Sequence, residues 1–417
     1  MDAGEINVLD LFAGCGGFSQ GFKQAGFKIV AANEIWQPAI DTYSTNHKNT
    51  RMFGGDITSQ KVKNEILNFF KDKPCDIIIG GPPCQAYSVA GLKLPSDPRG
   101  KLFKDYLYMV KKLKPKIFVM ENVKGLLYIN IEKKGLKPNI LKSIEEIKDM
   151  KQERANLLLK RVRSKNTQTI NFNDENSRRL QYLINKIPEL EKKVAPYQGK
   201  LIEDIRRRIR KLGYESVEYA TLNSADFGVP QLRERVVIIA TRYDVPIEFP
   251  KATHSGRFAE WLLPWVTVRQ TLDDLKDVNV DGKINHTFAS HGKKFLRKIK
   301  KTMTGKTTLK TYKSSFKRLD PNKPSLTVKE NHGAVFIHYE KDRVITAREL
   351  ARLQSFNDSF FFCSSKRDVL IQIGNAVPPL LAFAIAKSIR SMLTKIGQQS
   401  DSYKNIKPQA VVGMLNK

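Results

Sequence analysis

The sequence predicts an α/β protein: a doubly wound, mostly parallel, Rossmann-like sheet, joined to a smaller basic domain and carrying a helical insertion. Three observations predict it. Short apolar runs alternate with helical stretches through the first part of the chain, the rhythm of a parallel sheet covered on both faces. A Lys/Arg/Glu-rich stretch from 131 to about 210 breaks that rhythm and has few turn signals before Pro188 and Pro196. From about 246 the composition changes again, and Gly282 to Leu319 contains no Asp or Glu. The expected organisation is therefore a sheet domain in two parts, 1–130 and 211–245, interrupted by an insertion at 131–210. A basic domain at 246–371 follows, and then a segment at 372–417 that returns to the sheet domain.

The elements follow in order. Ile6 to Phe12 is a short apolar run that enters a glycine turn, Ala13-Gly14-Cys15-Gly16-Gly17, and then a helical stretch from Phe18 to Ala25. Phe27 to Ala32 is a second strand, ending at Asn33-Glu34. Asp76 to Ile79 and Ile117 to Met120 are two more, and Val217 to Leu222 with Arg235 to Thr241 form a closing pair. Long helical runs such as Asp149 to Val162 make the insertion a solvated helical hairpin rather than a dedicated DNA-gripping arm. The final helix, from Pro378 on, should return to the first strand, since the chain starts almost on that strand and leaves no earlier helix to cover it.

Composition narrows the function. The chain has 417 residues, 41% hydrophobic and 27% charged, as expected of a soluble globular protein. Four scattered cysteines form no C-x-x-C pair, which speaks against a metal site and suits a reducing compartment. No apolar run approaches a membrane span, and a strand-like run comes within a few residues of the start, where a signal peptide would lie. The formal charge of +30 and pI near 9.8 point to a polyanionic partner. In the acid-free segment, lysines including Lys298, Lys300, Lys301, Lys306 and Lys313 are interleaved with hydroxyls, Tyr312 and Phe316. That mixture of phosphate-neutralising, hydrogen-bonding and stacking groups fits a nucleic-acid face.

Two motifs carry chemistry. Pro82-Pro83-Cys84-Gln85 puts a thiol on a stiff loop at the end of a buried strand, where α/β folds keep their sites. From the string alone, Cys84 could be a nucleophile or a packed thiol. The other motif, Asp10-Leu-Phe-Ala-Gly14-Cys-Gly16-Gly17, is a strand running into a glycine turn, but Ser19 stands where a dinucleotide fingerprint needs its third glycine. Glu34 closes the next strand, placed to accept bonds from two ribose hydroxyls. An acidic Asp10 would repel a pyrophosphate but not a cationic sulfonium nucleoside, so the residues lean towards S-adenosylmethionine over a nicotinamide dinucleotide.

The chain resembles the DNA (cytosine-5) methyltransferase family of prokaryotic restriction-modification type. The resemblance rests on six blocks in the family's order. They are Asp10-Leu-Phe-Ala-Gly-Cys-Gly-Gly-Phe18, Gly80-Gly-Pro-Pro-Cys84-Gln-Ala-Tyr-Ser88, Glu121-Asn122-Val123, Gln231-Leu-Arg233-Glu-Arg235, Arg348 to Phe356, and Ile373-Gly-Asn375-Ala-Val-Pro-Pro379. It covers 1–130, about 211–245 and about 344–395; the insertion is not covered, and the basic segment matches in position only. Asn357 and Ala86 stand where the family often has proline.

The resemblance implies a methyltransferase sheet with a target-recognition domain at 246–371. It implies S-adenosylmethionine as cofactor, S-adenosyl-L-homocysteine as product, and double-stranded DNA as partner. Cys84 becomes the nucleophile, Glu121 the group that holds the cytosine N3 and amine, and Arg235, with Arg233, the O2 side. Phe18 is expected to stack on the adenine, Glu34 to bind the ribose, Asp56 to hydrogen-bond the adenine and Asn375 to close the pocket. Asp10, Phe12, Gly14, Gly16, Gly17, Ile35 and Ile57 complete the expected cofactor site. Gln85, Ser88 and Arg99 join the basic-segment residues as DNA contacts. The enzyme is expected to be a monomer in the cytoplasm, associated with the nucleoid, with any cognate restriction endonuclease acting independently. The rival readings are a tRNA cytosine-C5 methyltransferase of the same fold, whose Cys-Phe-Thr signature is missing here, and a catalytically silent DNA-binding module.

Overall fold

The computed structural model describes residues 6–83, 102–132, 135–166, 174–278, 281–308, 316–329 and 336–404. It opens with β1 (Asn7–Leu11), α1 (Gly17–Gln24), β2 (Lys28–Glu34), α2 (Gln37–Asn46), β3 (Arg51–Gly54), α3 (Gln60–Phe69), β4 (Ile77–Gly80), α4 (Leu102–Leu113) and β5 (Ile117–Val123). Next come β6 (Asn130–Glu132), α5 (Pro138–Asn166), α6 (Asp174–Val194), β7 (Gln198–Lys200) and α7 (Leu201–Arg210). The chain then enters β8 (Ser216–Asn223) and β9 (Glu234–Thr241).

Seven of these strands form one sheet in the order β3-β2-β1-β4-β5-β9-β8. Pairings from β3 through β5 are parallel; β9 runs antiparallel between β5 and β8. Strand order reverses between β1 and β4, so the two connections leave opposite faces and open a crevice at the carboxyl ends of the strands. β4 is the unbroken run Ile77-Ile78-Ile79, buried on both faces, as a central parallel strand must be. β3 has only Phe53 buried, so its sequence carries no strand signal of its own.

Three short helices follow the sheet strands, α8 (Val268–Leu272), α9 (Lys293–Lys300) and α10 (Ala347–Leu353), and then α11 (Lys366–Asn375) and α12 (Pro379–Lys404). α12 lies against α1. Its Leu381, Ile385 and Ile389 share a buried cluster with Val8, Phe22 and Ile29, covering one face of the first strands. Among the described residues one helical stretch, Lys366–Gln398, is long and apolar enough to cross a membrane, and most of its apolar length is buried in this core.

The chain divides into two compact units. The first contains the seven-stranded sheet and everything from Ile209 onward; the second contains Gly125–Arg208. In the second, α5 and α6 pack through Ile144, Ile147, Leu157, Leu180, Leu183 and Ile187, with ion pairs such as Arg179–Glu153 at 2.7 Å on the outside. In the first, a separate cluster joins Val268, Leu272, Ile299, Leu319 and Phe336 to Leu350, Leu353, Phe356 and Ile373. Arg318 lies near the end of the acid-free segment but does not face solvent. Its guanidinium donates to the carbonyls of Thr302, Ile299 and His338 and pairs with Asp342 at 2.7 Å, pinning the loops after α9.

Candidate active site

Three strand ends line one side of the crevice. Phe12 follows β1 in the left-handed region, φ 58°, a strained conformation for a bulky residue, and the residue is partly exposed. Glu34 ends β2. One carboxylate oxygen accepts from the Gly14 N–H at 2.8 Å, and the other from the Ile35 and Trp36 N–H groups, both at 2.9 Å. The carboxylate thus ties the glycine turn to the second strand. A carboxylate has about four lone-pair sites, so capacity remains for a ligand. Asp56 follows β3, exposed, its carboxylate accepting from the Thr58 N–H at 2.8 Å. Asn33, which sequence reasoning missed, holds that loop by donating to the carbonyls of Phe53 and Gly55. Space in front of Gly14 is open, and Ile35 is 63% exposed beside Glu34. A carboxylate flanked by accessible apolar groups fits a nucleoside: hydroxyls to Glu34, a ring against Phe12 and Ile35.

The other expected cofactor residues differ in burial. Phe18 is 3% exposed and packs edge-on to Phe22 at 5.4 Å, inside the cluster under the sheet, so its ring is no adenine platform. It lies on the core-facing stripe of α1, whereas Phe12 sits before the turn. Ile57 is buried. Gly16 and Gly17 are buried too; a Cβ on Gly17 would come within 2.3 Å of the Val377 carbonyl oxygen, so this glycine allows close packing of the last segment. Asp10 is fully buried, accepting from Ser19 Oγ at 2.6 Å, and burial pushes its carboxyl up to about 7. The electrostatic argument against a pyrophosphate is weakened accordingly, since part of the Asp10 population is neutral at pH 7. Asn375, at the end of α11, is exposed.

The neighbouring strand ends bring a second set together. Arg235 Nε lies 2.9 Å from Glu121 Oε1, joining β9 to β5 across the antiparallel pair. Both side chains are mostly buried, and burial pulls the Arg235 guanidinium below its ordinary range. Gly81 leaves room for this: a Cβ there would sit 3.2 Å from Glu121 Oε2. Asn122 donates to the Pro82 carbonyl at 2.9 Å, which holds the chain where it leaves β4. Its signal was its place in the Glu121-Asn122-Val123 block. Arg233 does not join this pair. It is 2% exposed, and its guanidinium donates to the carbonyls of Val328, Gly374 and Ala376, so the expectation that it binds the O2 side is not met.

Cys84, Gln85, Ser88, Arg99, Tyr312 and Lys313 lie outside the described residues. Lys298, Lys300, Lys301 and Lys306 are exposed, on and just after α9, whose only buried residue is Ile299.

Buried titratable groups make stability pH-dependent in opposing ways. Burial pushes His47 and His338 down to about 4, so below pH 6.5 the unfolded chain binds their protons first and stability falls. Asp10 acts the other way: with its carboxyl raised, the native state holds a proton the unfolded chain has lost, between about pH 4 and 7. Asp10→Asn should therefore steepen the rise of stability with pH across that window, by about 1.4 kcal/mol per pH unit. Urea midpoints of both proteins between about pH 4.5 and 6.5 check this. Parallel curves would show Asp10 titrating like a surface carboxylate.

Comparison with known proteins adds sequence and fold likeness. The family model described as C-5 cytosine-specific DNA methylase matches residues 6–148 and 146–391. The type II methyltransferase M1.HphI of Haemophilus parahaemolyticus is 31% identical over 404 residues, covering 93% of this chain and 88% of the relative. M.DdeI of Desulfomicrobium norvegicum, also named a type II methyltransferase, is 30% identical over 96% of this chain and 92% of its own length. Among solved structures, a DNA modification methyltransferase described as prophage-encoded, from E. coli, matches with TM-score 0.63 at 24% identity, covering 93% of this chain and 99% of that one. The S. pombe Dnmt2 methyltransferase matches with TM-score 0.53 at 16% identity, over 93% and 99%. At these identities the two structures speak for the fold alone.

Proposed function

Because this chain belongs to the C-5 cytosine-specific DNA methylase family, we propose that it methylates C5 of a cytosine flipped out of a specific double-stranded DNA sequence, through a covalent bond from Cys84 to C6. The observation that carries the reading is the Glu121–Arg235 pair, 2.9 Å apart, with the neighbouring Asn122 bonded to Pro82, two residues before Cys84 in the sequence. When bound, S-adenosylmethionine supplies an electrophilic methyl group.

Cytosine C5 is a poor carbon nucleophile. Addition of the Cys84 thiolate to C6 breaks the ring's aromaticity, and the electrons of the C5–C6 double bond become available at C5. Glu121 holds N3 and the exocyclic amine, and Arg235 the O2 side, where negative charge develops. With the methyl group on C5 and S-adenosyl-L-homocysteine as leaving group, water would take the C5 proton, the C–H electron pair would re-form the C5–C6 double bond and Cys84 would leave as thiolate. A stacked base offers no path to C6, so the cytosine must leave the duplex. Glu34 binds the ribose of the cofactor, with Phe12 and Ile35 against its adenine, Asp56 as hydrogen-bond partner and Asn375 closing the pocket. The protein works as a monomer in the cytoplasm, and any cognate endonuclease acts independently.

Transfer of labelled methyl groups to duplex DNA and to tRNA, with bisulfite sequencing of DNA from expressing cells, tests the reading. Label in duplex DNA at a defined sequence is expected; label in tRNA alone would favour the RNA enzyme, and none in either a silent binding module.

The exposed lysines supply a separate test. Neutralising Lys298, Lys300 and Lys301 together should weaken binding to all duplex sequences alike. It should also flatten the log–log salt dependence by about 0.9 for each phosphate that a lysine no longer neutralises. A salt slope equal to the wild type would remove these lysines from the DNA interface.

A further inference from the structure

The block that supplies Arg235 holds two more buried polar side chains, Gln231 and Arg233, spaced by two residues. Gln231 donates to the Leu353 carbonyl at 3.1 Å and to Gln354 Oε1 at 2.8 Å, and its own Oε1 accepts from the Val328 N–H at 2.8 Å. Gln354 passes the connection on by donating to the Ile373 carbonyl at 2.7 Å. Arg233 meets the same two segments. Its Nη1 donates to the Val328 carbonyl at 2.8 Å, and its Nη2 donates to the carbonyls of Gly374 and Ala376, each at 3.1 Å. The last two flank Asn375.

Burying a guanidinium is costly, and here three buried carbonyls that would otherwise lack a donor offset part of that cost. What the guanidinium adds is geometry: a planar fork that holds carbonyls from two segments at once. A lysine presents a single ammonium and cannot span them. Two residues further on, Arg235 pairs with Glu121, so one short stretch of chain touches Val328 of the basic domain, the Asn375 turn and Glu121.

We propose that Arg233 is a positioning residue for cofactor binding. It clamps the Gly374–Ala376 turn against Val328 and so presents Asn375 to the cofactor pocket. This rests on the reading of Asn375 as a cofactor contact, and the experiment separates the two.

S-adenosylmethionine affinity is measured by calorimetry for the wild type, Arg233→Lys, Asn375→Ala and the double variant. Each single variant should bind about tenfold more weakly, a loss typical of one or two hydrogen bonds. If Arg233 acts through Asn375, the double variant should be no weaker than Asn375→Ala to within about twofold, because the two losses are the same loss. In Arg233→Lys the KM for cofactor should rise, with kcat at saturating cofactor and cofactor-free duplex affinity near the wild type. Losses that multiply, or Arg233→Lys at wild-type affinity beside a weakened Asn375→Ala, would overturn the inference alone. An unaltered Asn375→Ala would overturn the cofactor role of Asn375 and the inference with it. Hydrogen exchange on Arg233→Lys reads the turn independently of any ligand. The Ala376 amide, bonded to the Gln372 and Ile373 carbonyls, should exchange faster while β4 and β5 stay protected. Equal acceleration everywhere would mean a role in global stability, and would sink the proposal.

Discussion

Replacing Cys84 with serine is expected to abolish methyl transfer, on the order of 10⁴-fold or more, the scale on which removal of an enzyme nucleophile acts. A serine hydroxyl is far from ionised at neutral pH and cannot add to C6. Cofactor binding should be unchanged, since the Glu34 side of the crevice is built from other strands. The wild type should form a trapped adduct with duplex DNA carrying 5-fluorocytosine, whose C5 has no proton to lose. The described cysteines Cys15 and Cys75 are poor competitors for that adduct. Burial pushes the Cys15 thiol up to about 12 and the Cys75 thiol well above its ordinary range, so neither is a thiolate at neutral pH. Mapping of the adduct by mass spectrometry decides the matter: attachment at Cys15, Cys75 or Cys363 would remove Cys84 from the mechanism.

Arg235→Met should lower kcat by roughly 10²–10³, the cost of deleting one charge-stabilising donor at a reacting group. It should also destabilise the fold by about 3 kcal/mol, because Glu121 is left as a mostly buried, unpaired carboxylate. The two losses are separable. Adding Glu121→Gln to Arg235→Met removes the stranded charge, so stability should largely return while turnover stays low. Single-turnover rates and urea midpoints on the wild type and both variants check this. A kcat within about threefold of the wild type in Arg235→Met would mean that the pair is structural and that O2 is held by another group.

The strands were legible wherever burial is two-sided or alternating. The apolar runs of β1, β2, β4, β5, β8 and β9 each reveal a strand, whereas β3, with Phe53 alone inside, does not. With one buried side chain it has neither an alternation nor an apolar run to read, and its pairing with β2 is what makes it a strand. The Glu121 and Arg235 pairing was legible in part, because each sits at the end of a recognisable strand. That the two strands are neighbours is a matter of topology.

By itself the sequence determined the family, the alternation that makes a doubly wound sheet, the charge that demands a polyanion, and the residue types at the crevice. Tertiary structure alone decided which of two similar side chains does which work. Phe12 and Phe18 stand on either side of one turn, yet Phe12 stays partly exposed while Phe18 is buried in the core. Arg233 and Arg235 have a single residue between them, and one clamps carbonyls while the other meets a carboxylate. Motif spacing sets the distance between side chains along the chain. Their partners, at Val328, Gly374 and Ala376 for Arg233 and at Glu121 for Arg235, come from segments far away in sequence. Whether a buried charge finds a carbonyl or a carboxylate depends on which of those segments the fold brings to it.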